Sequence, residues 1–119
     1  MRKLRILFVC SANLQRSPTA EQVFGNFSDE WQTKSAGIMP SPGRNPLTQR
    51  LIDWADLILV MEPEHAEHIR ENYNSNDDKI RILNIPDVYA RNDPVLIQEL
   101  KKKALPIIEN WNPRSTLRS

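Results

Sequence analysis

A chain of 119 residues has room for one hydrophobic core, and a single domain spanning 1–119 is the expectation. With 16 Lys and Arg against 15 Asp and Glu, the net charge of +1 argues against a general nucleic-acid or membrane-surface partner. A single cysteine excludes an internal disulfide and a cysteine-based zinc site, so a cytoplasmic location is expected.

Residues 4–9 (LRILFV) read as a buried strand. The apolar part is far shorter than the core of a secretion signal, and nothing approaches the roughly 20 apolar residues of a membrane helix. A helix should follow, with Pro18 at its first position and Ala20, Val23, Phe24 and Phe27 on one apolar face. Residues 31–35 form a second strand candidate ending at Ala36-Gly37, and residues 38–46, with three prolines and a glycine, form a loop. Asn45-Pro46 predicts the cap and first turn of a short helix through Leu47, Leu51 and Trp54. Residues 57–61 (LILVM) are apolar without alternation, as in a strand covered on both faces. A helix from Pro63 to about Tyr73 follows, then a fourth strand over 80–85. His65 and His68 on that helix read as solvated positions, since two histidines without a third ligand make a poor metal site. Asp93-Pro94 repeats the cap-and-proline device, opening a helix with Ile97, Leu100, Ala104, Ile107, Ile108 and Trp111 at helical spacing. The strand–helix alternation predicts an α/β fold: an open, mostly parallel four-stranded sheet with helices on both faces.

Ligands of such sheets bind outside the carboxyl ends of the strands. Cys10 stands at the end of the first strand and Asp87 just past the fourth. From Cys10 the sequence runs Ser11, Ala12, Asn13, Leu14, Gln15, Arg16 and Ser17, a C-x5-R spacing between a strand and a helix. A five-residue loop there can curl its N–H groups toward one point, and the helix N-terminus adds more donors and a positive dipole end. The product is a cradle for a tetrahedral dianion, whose field also favours a thiolate on its floor. Arg16 can add two parallel N–H bonds to phosphate oxygens. As a bland alternative, Cys10 is a buried small hydrophobe.

Val9 to Pro18 resembles the signature of the low-molecular-weight protein tyrosine phosphatases, a C-x5-R-S-P with asparagine three residues after the cysteine. Lys34-Ser35-Ala36-Gly37, Ala55 to Met61, and Ile85-Pro86-Asp87 with Tyr89 resemble later segments of that family, in order. The resemblance implies that fold and a phosphomonoester hydrolase working through a phosphocysteine. Cys10 would be the nucleophile, Arg16 the phosphate-binding arginine and Asp87 the general acid and base. Ser11 to Ser17 would form the phosphate loop, with Asn13 in a left-handed turn and Ser17 stabilising the thiolate. Leu14 and Tyr89 would wall an aromatic phosphoester, free or on a phosphotyrosine protein. No metal or cofactor is required. The segment from Gly37 to Ala55 is much shorter than in the family, and Met39 and Arg44 are the residues expected on what remains of that wall. Ala12 replaces a loop glycine, Gln15 a frequent second cysteine, and Val88 the usual proline after the acid. Two other functions compete: an arsenate reductase of the same fold, and a phospho-residue binding module without turnover. Oligomeric state is open.

Overall fold

The apolar run of residues 6–9 has no polar side to leave in water, so its strand belongs in the middle of a sheet. In the computed structural model, which describes residues 3–111, it lies there. β1 (Leu4–Cys10) pairs in parallel with β2 (Trp31–Gly37) on one side and β3 (Leu57–Val60) on the other. β4 (Ile80–Ile82) lies outside β3, giving the order β2-β1-β3-β4 with every pairing parallel. Parallel neighbours need crossovers. These run through α1 (Arg16–Gly25), α2 (Gln49–Trp54) and α3 (Pro63–Asn72), and α4 (Pro94–Asn110) follows the last strand.

Alternate residues of β1 serve two cores. Ile6, Phe8 and Cys10 join Ala20 and Phe24 of α1 and Leu96, Leu100, Ala104 and Ile108 of α4. Leu7 and Val9 join Ile52 of α2 and Ala66 and Ile69 of α3. Phe8 stacks on Phe24 with ring centroids 5.4 Å apart. Each such fully buried side chain contributes roughly 1.5–3 kcal/mol of hydrophobic stabilisation.

The element boundaries differ from expectation where tertiary contacts outweigh local signals. Pro46 does not open a helix. The Gly37 N–H donates to Asn45 O (2.9 Å) and the Leu47 N–H to Gly37 O (3.0 Å), drawing this stretch into a single bridge beside β2. α2 therefore starts later, capped by Thr48, whose Oγ1 accepts the Leu51 N–H at 3.2 Å. Pro18 is the third residue of α1, because the helix begins at Arg16. The fourth strand is regular only to Ile82, although the Leu83 and Ile85 N–H groups still bond to Val60 and Met61 carbonyls at 2.9 Å each.

The chain leaves β1 toward β2 and later returns to β3 on its other side. The topological switch point thus lies between the carboxyl ends of β1 and β3, where crevices form in open α/β sheets. Gly37 ends β2 against the loop that follows β1. A Cβ there would lie 2.7 Å from Ser11 O and 2.9 Å from Asn13 N, both backbone atoms. Gly37→Ala should therefore destabilise the fold by about 1–3 kcal/mol in urea unfolding. A loss below about 0.5 kcal/mol would show that the loop yields instead.

Candidate active site

Residues 11–15 connect β1 to α1 over the switch point. Their carbonyls are tied to one side. Cys10 O accepts the Ile38 N–H (3.1 Å), Ser11 O the Met39 N–H (2.9 Å) and Ala12 O the Ser41 N–H (3.1 Å). Asn13 O accepts from Arg44 Nε at 2.7 Å. In a planar trans peptide the N–H points opposite to the preceding C=O. The N–H groups of Ser11, Ala12, Asn13 and Leu14 are therefore all directed away from the 38–44 segment. Among the described residues none of the four finds a backbone acceptor. Backbone geometry of this kind can cradle an anion, with the N-terminus of α1 adding donors. Arg44, expected on the cleft wall, instead braces the back of the loop.

Asn13 makes the curl possible, with φ at 57° in the left-handed region that asparagine tolerates. Its side chain is fully buried and its amide donates to Ser17 Oγ (2.9 Å) and Ser35 Oγ (3.0 Å). Its Oδ1 accepts the Asn45 N–H at 3.1 Å. Ser17 Oγ lies 2.9 Å from Cys10 Sγ. With the Asn13 amide donating to that oxygen, the hydroxyl hydrogen can go to the sulfur or, over a longer 3.5 Å, to Ala36 O, and a thiolate could only accept it. Cys10 itself is 2% exposed.

Arg16 is equally buried, at 2%. Its Nη1 donates to Ile85 O at 2.8 Å and to the Glu62 carboxylate, which follows β3. That guanidinium holds the Glu62 carboxyl below the usual carboxylate range. Asp87 Oδ1 lies 3.7 Å from Arg16 Nε, close enough for an ion pair and too far for a hydrogen bond. Nε is thus a buried donor without an acceptor among the described residues. Asp93, the other acid of this loop, caps α4 through a 2.8 Å bond from the Val95 N–H.

His65 corrects the sequence reading. It is fully buried, not solvated. It occupies the third position of α3, where its Nδ1 accepts the Glu62 N–H (3.0 Å), while Nε2 lies 2.9 Å from Ser11 Oγ. The signal was present: in Glu62-Pro63-Glu64-His65 a helix-starting proline sets the cap-to-third-residue spacing of a capping box, with histidine in the place usual for Glu or Gln. Burial, then the charge of Arg16, lowers its pKa to about 4. His68 is partly exposed and bonded to Asn72. Among the described residues, no group of three His, Cys, Asp or Glu side chains is placed to hold a metal. No helix is long and apolar enough to cross a membrane.

Three exposed large apolar side chains belong to the loop or to segments that touch the site: Leu14 is 40% exposed, Met39 76% and Val88 72%. Tyr89 is half-buried and packs against the core between the sheet, α1 and α4.

Comparison with known proteins gives concordant matches. A family model described as low molecular weight phosphotyrosine protein phosphatase matches residues 5–50. A protein-arginine-phosphatase of Bacillus subtilis (strain 168) is 29% identical, with 66% of this chain and 69% of that protein covered. The low molecular weight protein-tyrosine-phosphatase Wzb of Escherichia coli (strain K12) is also 29% identical, with 72% and 78% covered. The crystal structure of a low molecular weight protein tyrosine phosphatase from T. tengcongensis superposes with a TM-score of 0.75 at 24% identity, covering 92% of this chain and 100% of that one.

The buried imidazole sets an acid limit on stability. His65 is neutral when folded until about pH 4, whereas in the unfolded chain it takes up a proton near its ordinary 6.5. Between those values the unfolded state binds more protons, so stability should fall as pH drops from 6.5 toward 4. The loss attributable to this residue is on the order of 3 kcal/mol. Urea unfolding across that window checks it: a His65→Gln variant should show a flatter pH dependence, and an unchanged slope would contradict the assignment.

Proposed function

We propose that this chain, which is similar to the low-molecular-weight protein tyrosine phosphatases, hydrolyses aromatic phosphomonoesters, phosphotyrosine foremost, through a phosphocysteine on Cys10. One observation carries the reading. A buried arginine keeps an unpartnered Nε beside a loop whose four consecutive N–H groups point to one side. Burying such donors without acceptors costs free energy, and a phosphate dianion satisfies them together.

In the proposed reaction the Cys10 thiolate, held by the Ser17 hydroxyl, attacks phosphorus as the ester P–O bond breaks. Asp87 gives its proton to the leaving oxygen. The loop N–H groups and Arg16 stabilise the charge spread over the equatorial oxygens. Asp87, now a carboxylate, takes a proton from water, whose oxygen attacks the phosphocysteine. Phosphate leaves and the thiolate returns. Glu62 and Ile85 O hold the guanidinium by Nη1, leaving its Nε edge for two parallel bonds to phosphate.

Exposed Leu14 in the loop and Met39 beside it would favour an aromatic ester over a sugar phosphate, because apolar contact rewards burial of a ring. The B. subtilis relative is named for arginine. Here the guanidinium of a phosphoarginine would meet apolar Leu14 and leave polar N–H groups unpaired. The lone thiol suits the reducing cytoplasm, where the nucleophile stays available.

Cys10→Ser should abolish turnover of p-nitrophenyl phosphate while preserving the fold, and Arg16→Lys should lose about 10²-fold because a point charge cannot make the paired contact. Vanadate should inhibit, and arsenate reduction should be negligible. Substantial turnover in Cys10→Ser would overturn the covalent route. Absence of hydrolysis with retained phosphopeptide binding would leave a binding module.

The acid is tested separately. Asp87→Asn should lower kcat by about 10²-fold with phenyl phosphate and less with p-nitrophenyl phosphate, whose leaving group hardly needs a proton. Asp93→Asn should cost under about 1 kcal/mol of stability, since asparagine also caps well. A leaving-group-dependent loss in Asp93→Asn alone would reverse the assignment. Phosphotyrosine peptide should be preferred to phosphoarginine peptide by about 10-fold or more in kcat/KM, and the opposite ratio would change the substrate class.

A further inference from the structure

Among the buried polar side chains of the described residues, Asn13, Arg16, Ser17 and Thr19 come from the loop and α1, and Ser35 from β2. His65 is the exception: it comes from α3, across the switch point, and bonds both Ser11 of the loop and the backbone of Glu62, whose carboxylate holds Arg16. A neutral imidazole carries one donor and one acceptor. The Glu62 N–H can only donate, so Nδ1 is the acceptor and the ring proton sits on Nε2. Ser11 Oγ, 2.9 Å away, therefore accepts from His65. A serine oxygen that accepts there keeps its own hydrogen to donate, and Ser11 directly follows the nucleophile.

We propose that His65 is a positioning residue for the phosphate cradle. Its Nε2–H holds the Ser11 hydroxyl as a poised donor, and its Nδ1 holds the backbone of Glu62, whose carboxylate clamps Arg16. The two halves of the cradle are coupled through one ring. A helix cap alone does not call for this arrangement. Glutamate or glutamine satisfies the same backbone N–H from the third helical position without burying an imidazole. What the imidazole adds is a rigid, planar second contact whose two nitrogens lie on one ring. The proposal rests on the reading of the loop as a phosphate site.

The test compares wild type with His65→Ala, His65→Gln, Ser11→Ala and the double variant, using p-nitrophenyl phosphate turnover and inorganic phosphate binding. His65→Ala should lower kcat by about 10-fold or more while KM moves less than about 3-fold, because misplacement of preorganised donors weakens the transition state most. His65→Gln, which can offer both an acceptor and a donor, should recover most of the loss. Ser11→Ala should cost about 5-fold, and the double variant should be no worse than His65→Ala alone, since both act on one contact. In nitrogen-15 spectra His65 should show a protonated Nε2 and a bare Nδ1, with a shift on phosphate saturation that Ser11→Ala abolishes. A kcat in His65→Ala within about 2-fold of wild type, independent multiplication of the two single effects, or a proton on Nδ1 would each overturn the proposal. If His65→Ala does not fold, the Ser11→Ala and His65→Gln kinetics and spectra still decide. A wild-type enzyme that binds phosphate without turnover would count against the phosphatase reading, and the phosphate-dependent shift would then decide the role of His65.

Discussion

Four consecutive carbonyls on one side of a loop are the constraint from which the rest of this molecule follows. Strands alternate their carbonyls, so the run from Cys10 to Asn13 cannot continue β1. It has to curl, and the curl requires Asn13 at φ 57°. The segment after β2 holds the carbonyls in place through the Ile38, Met39 and Ser41 N–H groups and the Arg44 side chain. The chain spends few residues there. It keeps the donors that brace the loop and leaves Met39 76% exposed.

Arg16 joins this loop to the other half of the sheet. A buried guanidinium is tolerable only with strong compensation. Glu62 and Ile85 O supply part of it, from the ends of the two strands farthest along the chain. The Arg16 Nε has no acceptor among the described residues, and Asp87 stands at ion-pair distance from it. His65 is neutral chiefly because it is buried, and the charge of Arg16 adds to the effect.

Much of this was legible from spacing because the relevant rules act over a few residues. The strand before Cys10, the helix after it and the Asp93 cap each follow from neighbours within about one helical turn, whereas the left-handed Asn13 was implied by the family resemblance. Pro63 and Pro94 start helices as their local context implies. Pro46 has the same local context and does not, because the open edge at Gly37 captured its backbone first. Leu96, fully buried, escaped notice beside the more regular spacing of Ile97 and Leu100.

The sequence alone placed a thiol, an asparagine, an arginine and a serine in fixed order between a strand and a helix. Which groups complete the set was decided by tertiary structure. Glu62, Ile85 and the Ser11–His65 pair join residues 46, 69 and 54 positions apart. Contacts over such separations depend on the strand order, with β3 beside β1 and β4 beyond it, and hydrophobic periodicity reports a strand's faces without naming its neighbours.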